Sequence, residues 1–373
     1  MGEYMSVSEL PPRFGGLLLM GTNGGVLQAL DAHNGMLSWR WETSHPFGGS
    51  GLAQVGETII AASRDGYACA LQVGNGAVRW ETALPGINQT FEGTQLRVAA
   101  AANGIALQYG KRIIVLDPRD GSILWDHALT ADTYQGWVVA VGASQIYVVE
   151  QKFTVPITWL TSARSARDGT VQWSTTEHVT LEPVWDAGSS LVEVDGVVYA
   201  YGFGLHALDA ETGSLLWEQK AIPEFHVAQL AVGRSVVIVA VRDYLGAFRR
   251  ESGAPLWSKT GRRGERNYFE EFSSLLLLNT HSEDVAYVGR YEANPHGFLL
   301  EAREPETGVL RWAWRGNSSP LQPTWRFRGA ADMICVPTYN RVYAVRARDG
   351  QELWQADLDD TQSALLAVAE DTA

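Results

Sequence analysis

The sequence predicts an all-β fold, an eight-bladed β-propeller of four-stranded antiparallel blades, and three observations carry that prediction. A glycine followed four positions later by tryptophan occurs as Gly35–Trp39, Gly76–Trp80, Gly121–Trp125, Gly169–Trp173, Gly213–Trp217, Gly253–Trp257, Gly308–Trp312 and Gly350–Trp354. From Trp39 to Trp354 the spacing averages 45 residues, the length of one four-stranded blade. The 38 glycines are spread along the 373 residues, as expected of many short strands joined by tight turns. Residues 1–16 are expected to be a leader and residues 17–373 a single propeller domain.

The leader MGEYMSVSELPPRFGG contains two adjacent prolines and would make a poor inner strand. Naming strands A to D from the inside outward, blade 1 should supply strands B, C and D at Leu17–Thr22, Val26–Asp31 and Met36–Glu42. Blade 2 should run Gly51–Val55, Thr58–Ser63, Tyr67–Val73, Ala77–Thr82. Blade 6 should run Val227–Val232, Ser235–Val241, Leu245–Arg250, Ala254–Lys259. In stretches such as ALDAHNGMLSW and ALDAETGSLLW, a strand meets a polar turn that ends in glycine, and a second strand carries the tryptophan. Such turns require positive φ, which glycine adopts at low cost. The Asn or Asp preceding it at Asn34, Asn75, Asp120, Asp168 and Asp349 also suits a turn. Nearly continuous apolar runs such as Val236–Val241 fit strands covered on both faces by neighbouring blades. After Trp354 the chain continues into Ser363–Ala369, whose pattern matches inner strands such as VAQLAVGR and GWVVAVGA. That segment is predicted to be strand A of blade 1, paired with Leu17–Thr22, because an open ring would leave unpaired edges.

The repeat, roughly A-x-D-x-x-x-G-x-x-x-W, resembles that of the quinoprotein (pyrroloquinoline-quinone-like) β-propeller family over nearly the whole chain. The resemblance implies that each repeat tryptophan sits in the outer part of its blade and docks on the next. The family's aspartate stands at Asp31, Asp117 and Asp209, but Gln72, Ser165, Arg249, Glu304 and Arg346 replace it elsewhere. Quinone-dependent dehydrogenases of this family often carry a vicinal cysteine pair over the cofactor, whereas Cys69 and Cys335 are far apart in sequence. No cofactor is therefore expected, although pyrroloquinoline quinone stays conceivable by resemblance.

A net charge of −13 repels phosphate backbones and anionic lipid, which disfavours nucleic-acid and membrane-surface partners. No segment approaches the roughly 20 apolar residues of a membrane helix. The N-terminus has no basic start and no sufficient apolar run for a signal peptide, so the sequence as written reads as cytoplasmic. With a signal peptide removed, the same residues would be periplasmic or extracellular. The two cysteines sit in apolar runs, YACALQ and MICVPT, and are expected to be free thiols. A monomer is expected.

Motifs for chemistry are sparse. Gly202–Ala207 matches G-x-G-x-x-A, but another repeat strand follows where a dinucleotide site needs a helix, so the glycines read as a B–C hairpin. The eight histidines show no metal-ligand spacing, and no metal site is expected. Propellers bind ligands with the D–A and B–C loops on one rim of the channel, where rigid blades hold variable segments. Ligand binding is accordingly placed on Glu92, Trp137, Trp185, His226, Arg242, Tyr268, Glu271, Arg290, Trp325 and Tyr339, a mixture of aromatic, Arg and carboxylate groups typical of binding surfaces. If the protein is an enzyme, His226 with Glu182 or Glu271 would be the acid–base candidates. The favoured function is binding of a small molecule or protein at the channel mouth. The alternatives are a propeller enzyme of cyclase, lyase or hydrolase type and, less favoured, a quinone-dependent dehydrogenase.

Overall fold

Eight four-stranded antiparallel sheets follow one another along the chain of the computed structural model. The structure describes residues 16–21, 25–47, 51–87, 96–129, 133–142, 144–152, 157–179, 190–201, 204–220, 228–241, 244–260, 271–280, 283–293, 296–316, 328–330, 332–337, 341–357 and 365–369. The leader predicted at the N-terminus lies outside them, apart from Gly16. Blade 2 runs Leu52–Val55, Thr58–Ala62, Tyr67–Gln72 and Val78–Ala83, and blade 6 runs Ala228–Val232, Val236–Val241, Tyr244–Arg249 and Pro255–Thr260. Both match the sequence-derived order to within a residue or two at each end. The A strands contact one another in succession around the ring, blade 8 to blade 1 and blade 1 to blade 2 included, which makes them the inner strands.

The ring closes as expected. Blade 1 consists of Leu17–Gly21, Val26–Asp31 and Leu37–Glu42, with Leu365–Ala369 as its inner strand. Leu17 pairs with Ala369 and Gly21 with Leu365 in an unbroken antiparallel register. The two ends of the chain thus share one sheet, and blade 1 has four strands like the other blades.

Each C–D turn is built from the backbone. In blade 1 the Gly35 N–H donates to the Asp31 carbonyl and the Asp31 N–H to the Met36 carbonyl, both at 2.8 Å, and the same pair of bonds recurs in all eight blades. The repeat glycines hold φ between 68° and 75°, a left-handed conformation that disfavours residues with a Cβ. A β-bulge follows in every C–D pair, for example between Ala29 and Leu30 and between Ala344 and Val345. The side chain before the glycine caps the turn. Asn34 Oδ1 accepts the Met36 N–H at 2.8 Å, and Asp349 Oδ1 accepts that of Gln351 at 3.0 Å. Asp31 adds bonds from the N–H groups of His33 and Asn34. Since the backbone bonds persist where Gln72, Ser165, Arg249, Glu304 or Arg346 stands in its place, the family aspartate reinforces the turn without defining it.

The tryptophans perform the docking that the resemblance implies. Each indole N–H donates to a backbone carbonyl of the next blade. Trp39 reaches Val73 at 2.8 Å, Trp173 reaches Ala210 at 2.8 Å and Trp257 reaches Pro305 at 2.8 Å. Trp80, Trp125, Trp217 and Trp312 do the same with Pro118, Ala166, Arg250 and Ala347. Trp354 completes the circle on Ala32 of blade 1 at 2.8 Å. Each ring also lies flat against the repeat glycine of the blade it reaches. A Cβ built on any of those glycines would fall within 3.0 Å of the indole, so the glycine is demanded twice, by φ and by contact. Trp80 and Trp173 are buried and the other six are half-buried, less covered than a fully enclosed anchor, because the outer strand leaves one ring edge to solvent.

The apolar core is divided among the seams between blades, with one cluster in each. Leu18, Met20, Met333 and Cys335 join blades 8 and 1, while Leu19, Ala29, Ile59 and Cys69 join blades 1 and 2. Both thiols are free and buried. Burial pushes the Cys335 thiol up to about 12, and burial together with the Glu81 carboxylate also raises that of Cys69.

Trp217→Ala removes both an indole hydrogen bond and a seam contact. Trp→Ala in a core costs about 3–5 kcal/mol, and the half-exposure of Trp217 places it near the lower end. A thermal melt checks this, and an unchanged midpoint would contradict the docking role. Deleting residues 361–373 removes the inner strand of blade 1 and should cause aggregation or a large loss of stability, whereas a dispensable tail of that length would be tolerated. Sedimentation and melting of the truncated chain distinguish the two.

Candidate functional site

Two blades depart from the uniform plan. Blade 4 has strands of 9, 8, 9 and 9 residues (Thr133–Val141, Gln145–Lys152, Ile157–Ser165, Val171–Val179). Blade 7 has strands of 10, 11, 8 and 7 residues (Glu271–Thr280, Glu283–Ala293, His296–Arg303, Leu310–Gly316). Strands of the other six blades have three to six residues. The outer strand of blade 4 runs on to Val179, well past Trp173, and that of blade 7 to Gly316, past Trp312. These extensions point toward the D–A connections, the rim that the sequence marks for binding. Blades 4 and 7, which flank blades 5 and 6, thus have the longest described strands.

Both long blades also carry buried charge. Five residues before the repeat glycine the other blades place Leu30, Leu71, Leu116, Leu208, Phe248 and Val345, whereas blades 4 and 7 place Arg164 and Arg303. Arg164 lies 3.4 Å from Glu150, and Lys152 lies 3.7 Å from the same carboxylate. In blade 7, Glu301 holds Arg303 at 2.7 Å and Arg290 at 3.5 Å. Glu150 and Glu301 are almost fully buried. A carboxylate this deep is tolerable only when paired, and both are.

The best-defined polar cluster on the rim was not anticipated. His45, in the connection from blade 1 to blade 2, stacks on Tyr67 at 3.9 Å between ring centroids and places Nδ1 2.7 Å from Asp65 Oδ2. Ser63 Oγ donates to the other oxygen of Asp65. Because Ser63 bonds Asp65 and the Tyr67 main chain, the group braces the B–C hairpin and does not form a nucleophile–base pair. The only sequence signal for His45 is its place between a D and an A strand. His206, at the G-x-G-x-x-A match, is buried and lies 3.0 Å from Glu218. That contact, together with Lys220, holds the Glu218 carboxyl below the ordinary range. Tyr201 and Leu205 pair across the connection from strand B to strand C, where Gly204 lies; Gly202 lies outside the described residues.

Of the sequence-derived binding residues, Arg290 is described in full, on strand B of blade 7, largely buried and paired with Glu301. Trp137 lies on strand A of blade 4, opposite Val149, and Glu271 opens strand A of blade 7, opposite Tyr291. These three positions fall on the two long blades. Glu92, Glu182, Trp185, His226, Arg242, Tyr268, Trp325 and Tyr339 lie outside the described residues. Among the described residues no group of three His, Cys, Asp or Glu side chains could hold a metal ion, and no helix is long and apolar enough to cross a membrane.

A family profile described as outer membrane protein assembly factor BamB, in a PQQ repeat class, matches residues 4–154 and 160–373. The chain is similar to outer membrane protein assembly factor BamB of Yersinia pestis, at 24% identity over 70% of this chain and 68% of the relative. Among solved structures it is similar to BamB from Moraxella catarrhalis, with TM-score 0.55 and 16% identity over 88% of this chain and 91% of the other. It is also similar to a quinohemoprotein alcohol dehydrogenase from Pseudomonas putida HK5, with TM-score 0.62 and 12% identity over 87% of this chain and 68% of the other. At these identities the structural likenesses establish the fold alone.

Breaking one buried pair should differ from replacing it. Arg164→Leu removes a cation from the buried Glu150 carboxylate and should cost about 3 kcal/mol. Glu150→Val combined with Arg164→Leu restores the apolar seam of the other blades and should be neutral or stabilising. Denaturant titration of the variants measures both, and a double variant as unstable as the single one would contradict this account of the seam.

Proposed function

Because the chain belongs to the family described as outer membrane protein assembly factor BamB, we propose that it is a non-catalytic scaffold whose D–A and B–C rim binds protein partners in outer membrane protein assembly. The observation that carries this reading is the family match along nearly the whole chain, joined to the longer strands of blades 4 and 7. A rigid ring that presents connecting segments along one rim suits a protein surface. Trp137, Glu271 and Arg290 on the two long blades, and Glu92, Trp185, His226, Arg242, Tyr268, Trp325 and Tyr339 in the connecting segments, are the contacts proposed.

No cofactor enters the proposal, since the two cysteines occupy separate seams and cannot form the vicinal pair that the dehydrogenase resemblance would call for. The family role favours a site of action outside the cytoplasm over the cytoplasmic reading of the bare sequence.

A photo-crosslinking residue at Arg242 or Tyr339, which the reading assigns to the rim, compared with one at Met36 or Leu215, exposed beside C–D turns, tests the reading in cells. Adducts with a known outer membrane assembly protein are expected from the rim positions and not from the turns. Adducts confined to the turn positions would overturn it.

A further inference from the structure

The outer edge of blade 4 differs from those of the other seven blades. Strand D is the last strand of every sheet, so one row of its N–H and C=O groups turns away from the blade. In blade 4 that strand, Val171–Val179, has nine residues, against five to seven elsewhere. Past the bulge its ladder with strand C runs unbroken over seven pairs, from Ala163 opposite Trp173 to Ile157 opposite Val179. The corresponding ladder has three pairs in blade 5, five in blade 7 and four in each of the rest. The edge is also uncharged from Val171 to Thr176, where the sequence is VQWSTT. Every other D strand places an Asp, Glu, Lys or Arg within its first six residues, such as Arg40, Arg79, Lys259 and Arg311, and that of blade 6 adds Pro255. Edge charges and prolines are the devices that keep sheets from pairing edge to edge, and blade 4 lacks both as far as Thr176. Val171, Gln172, Ser174 and Thr176 are exposed. The Trp173 indole does not cover the edge, because its N–H is tied back to the Ala210 carbonyl of blade 5.

We propose that the outer edge of blade 4, Trp173–Val179, takes up an extended, uncharged strand of another protein by main-chain pairing. In this mode main-chain hydrogen bonds supply the affinity and alternate side chains the specificity. The straight run of the edge sets how many such bonds can form, and blade 4 has the longest run in the ring. A second copy of this chain is the less suited occupant, because each copy brings a net charge of −13 and the two repel. The surface lies on the outer side of the ring, so the proposal does not rest on the rim reading above.

The test is fluorescence anisotropy of a labelled peptide of about nine residues alternating Thr and Val, titrated with the full chain, beside the same peptide N-methylated at every second residue. N-methylation keeps the side chains but removes the main-chain donors of one edge. Saturable binding of the unmodified peptide alone is expected. Hydrogen exchange of the Trp173–Val179 amides should slow on binding, while that of Val78–Ala83 in blade 2 stays unchanged. Ser174→Lys with Thr176→Lys puts charge on the edge and should weaken binding roughly tenfold or more. Ser38→Lys with Gln351→Lys, the same charge change at exposed positions of blades 1 and 8, should alter it less than about twofold. Thermal melts of both double variants establish that they are folded. No saturable binding, equal binding of the N-methylated peptide, or equal losses in the two double variants would overturn the proposal. So would a dimer of this chain in sedimentation that Ser174→Lys with Thr176→Lys dissolves, since a second copy would then hold the edge. The crosslinking test of the rim is separate from all of these outcomes.

Discussion

Everything in this molecule depends on one contact repeated around a circle, the indole of one blade laid on the glycine of the next with its N–H on a neighbouring carbonyl. A blade buries little apolar surface within itself, since its strands are apolar on both faces and only a neighbour can cover them. The tryptophan fixes how far and at what angle that neighbour approaches. The glycine, held near φ 70° and lacking a Cβ, lets the ring come close enough for the hydrogen bond to form. Repeating the contact eight times gives eight seams of nearly the same geometry, and the last must return to the first. Trp354 on Ala32 and Leu365–Ala369 on Leu17–Gly21 are the outer and inner halves of that return.

This dependence explains why the fold was legible in the sequence. Gly-x-x-x-Trp is a local pattern, and its partners are supplied by the next copy of itself, so no long-range information is needed beyond the count of copies. The closing strand was legible for a related reason. Blade 1 lacked an inner strand, the leader contained prolines, and Ser363–Ala369 matched the inner strands elsewhere. The extent of tryptophan burial was less legible, because exposure depends on how the outer strand sits at the edge of the sheet. The aspartate four residues before the glycine could be lost at Gln72, Ser165, Arg249, Glu304 and Arg346 because the turn is a backbone structure.

The candidate site was legible only in outline. A rim could be inferred from where loops depart from the repeat, and Trp137, Glu271 and Arg290 fall on the two enlarged blades. The charged seams were written in the sequence as an Arg five residues before the glycine, in SARSARDG and EAREPETG, but a single arginine in a strand does not reveal its carboxylate. Glu150 for Arg164 is set by sheet register, which emerges only when the strands are paired, whereas Glu301 stands two residues before Arg303 on the same strand and on the same face. Polar seams in an otherwise apolar ring lower the stability available from burial. Their placement in the two blades with the longest strands ties that cost to the rim rather than to the ring.

The ring exists only if it closes. Native-state hydrogen exchange of the full chain measures closure, by following the amides of Leu365–Ala369 and Leu17–Gly21 and the indole N–H of Trp354. If the latch and the shared sheet close the ring, these protons exchange only on global unfolding, as slowly as those of Val236–Val241 in blade 6. Exchange of Leu365–Ala369 at the rate of a frayed terminus, with blade 6 still protected, would contradict it.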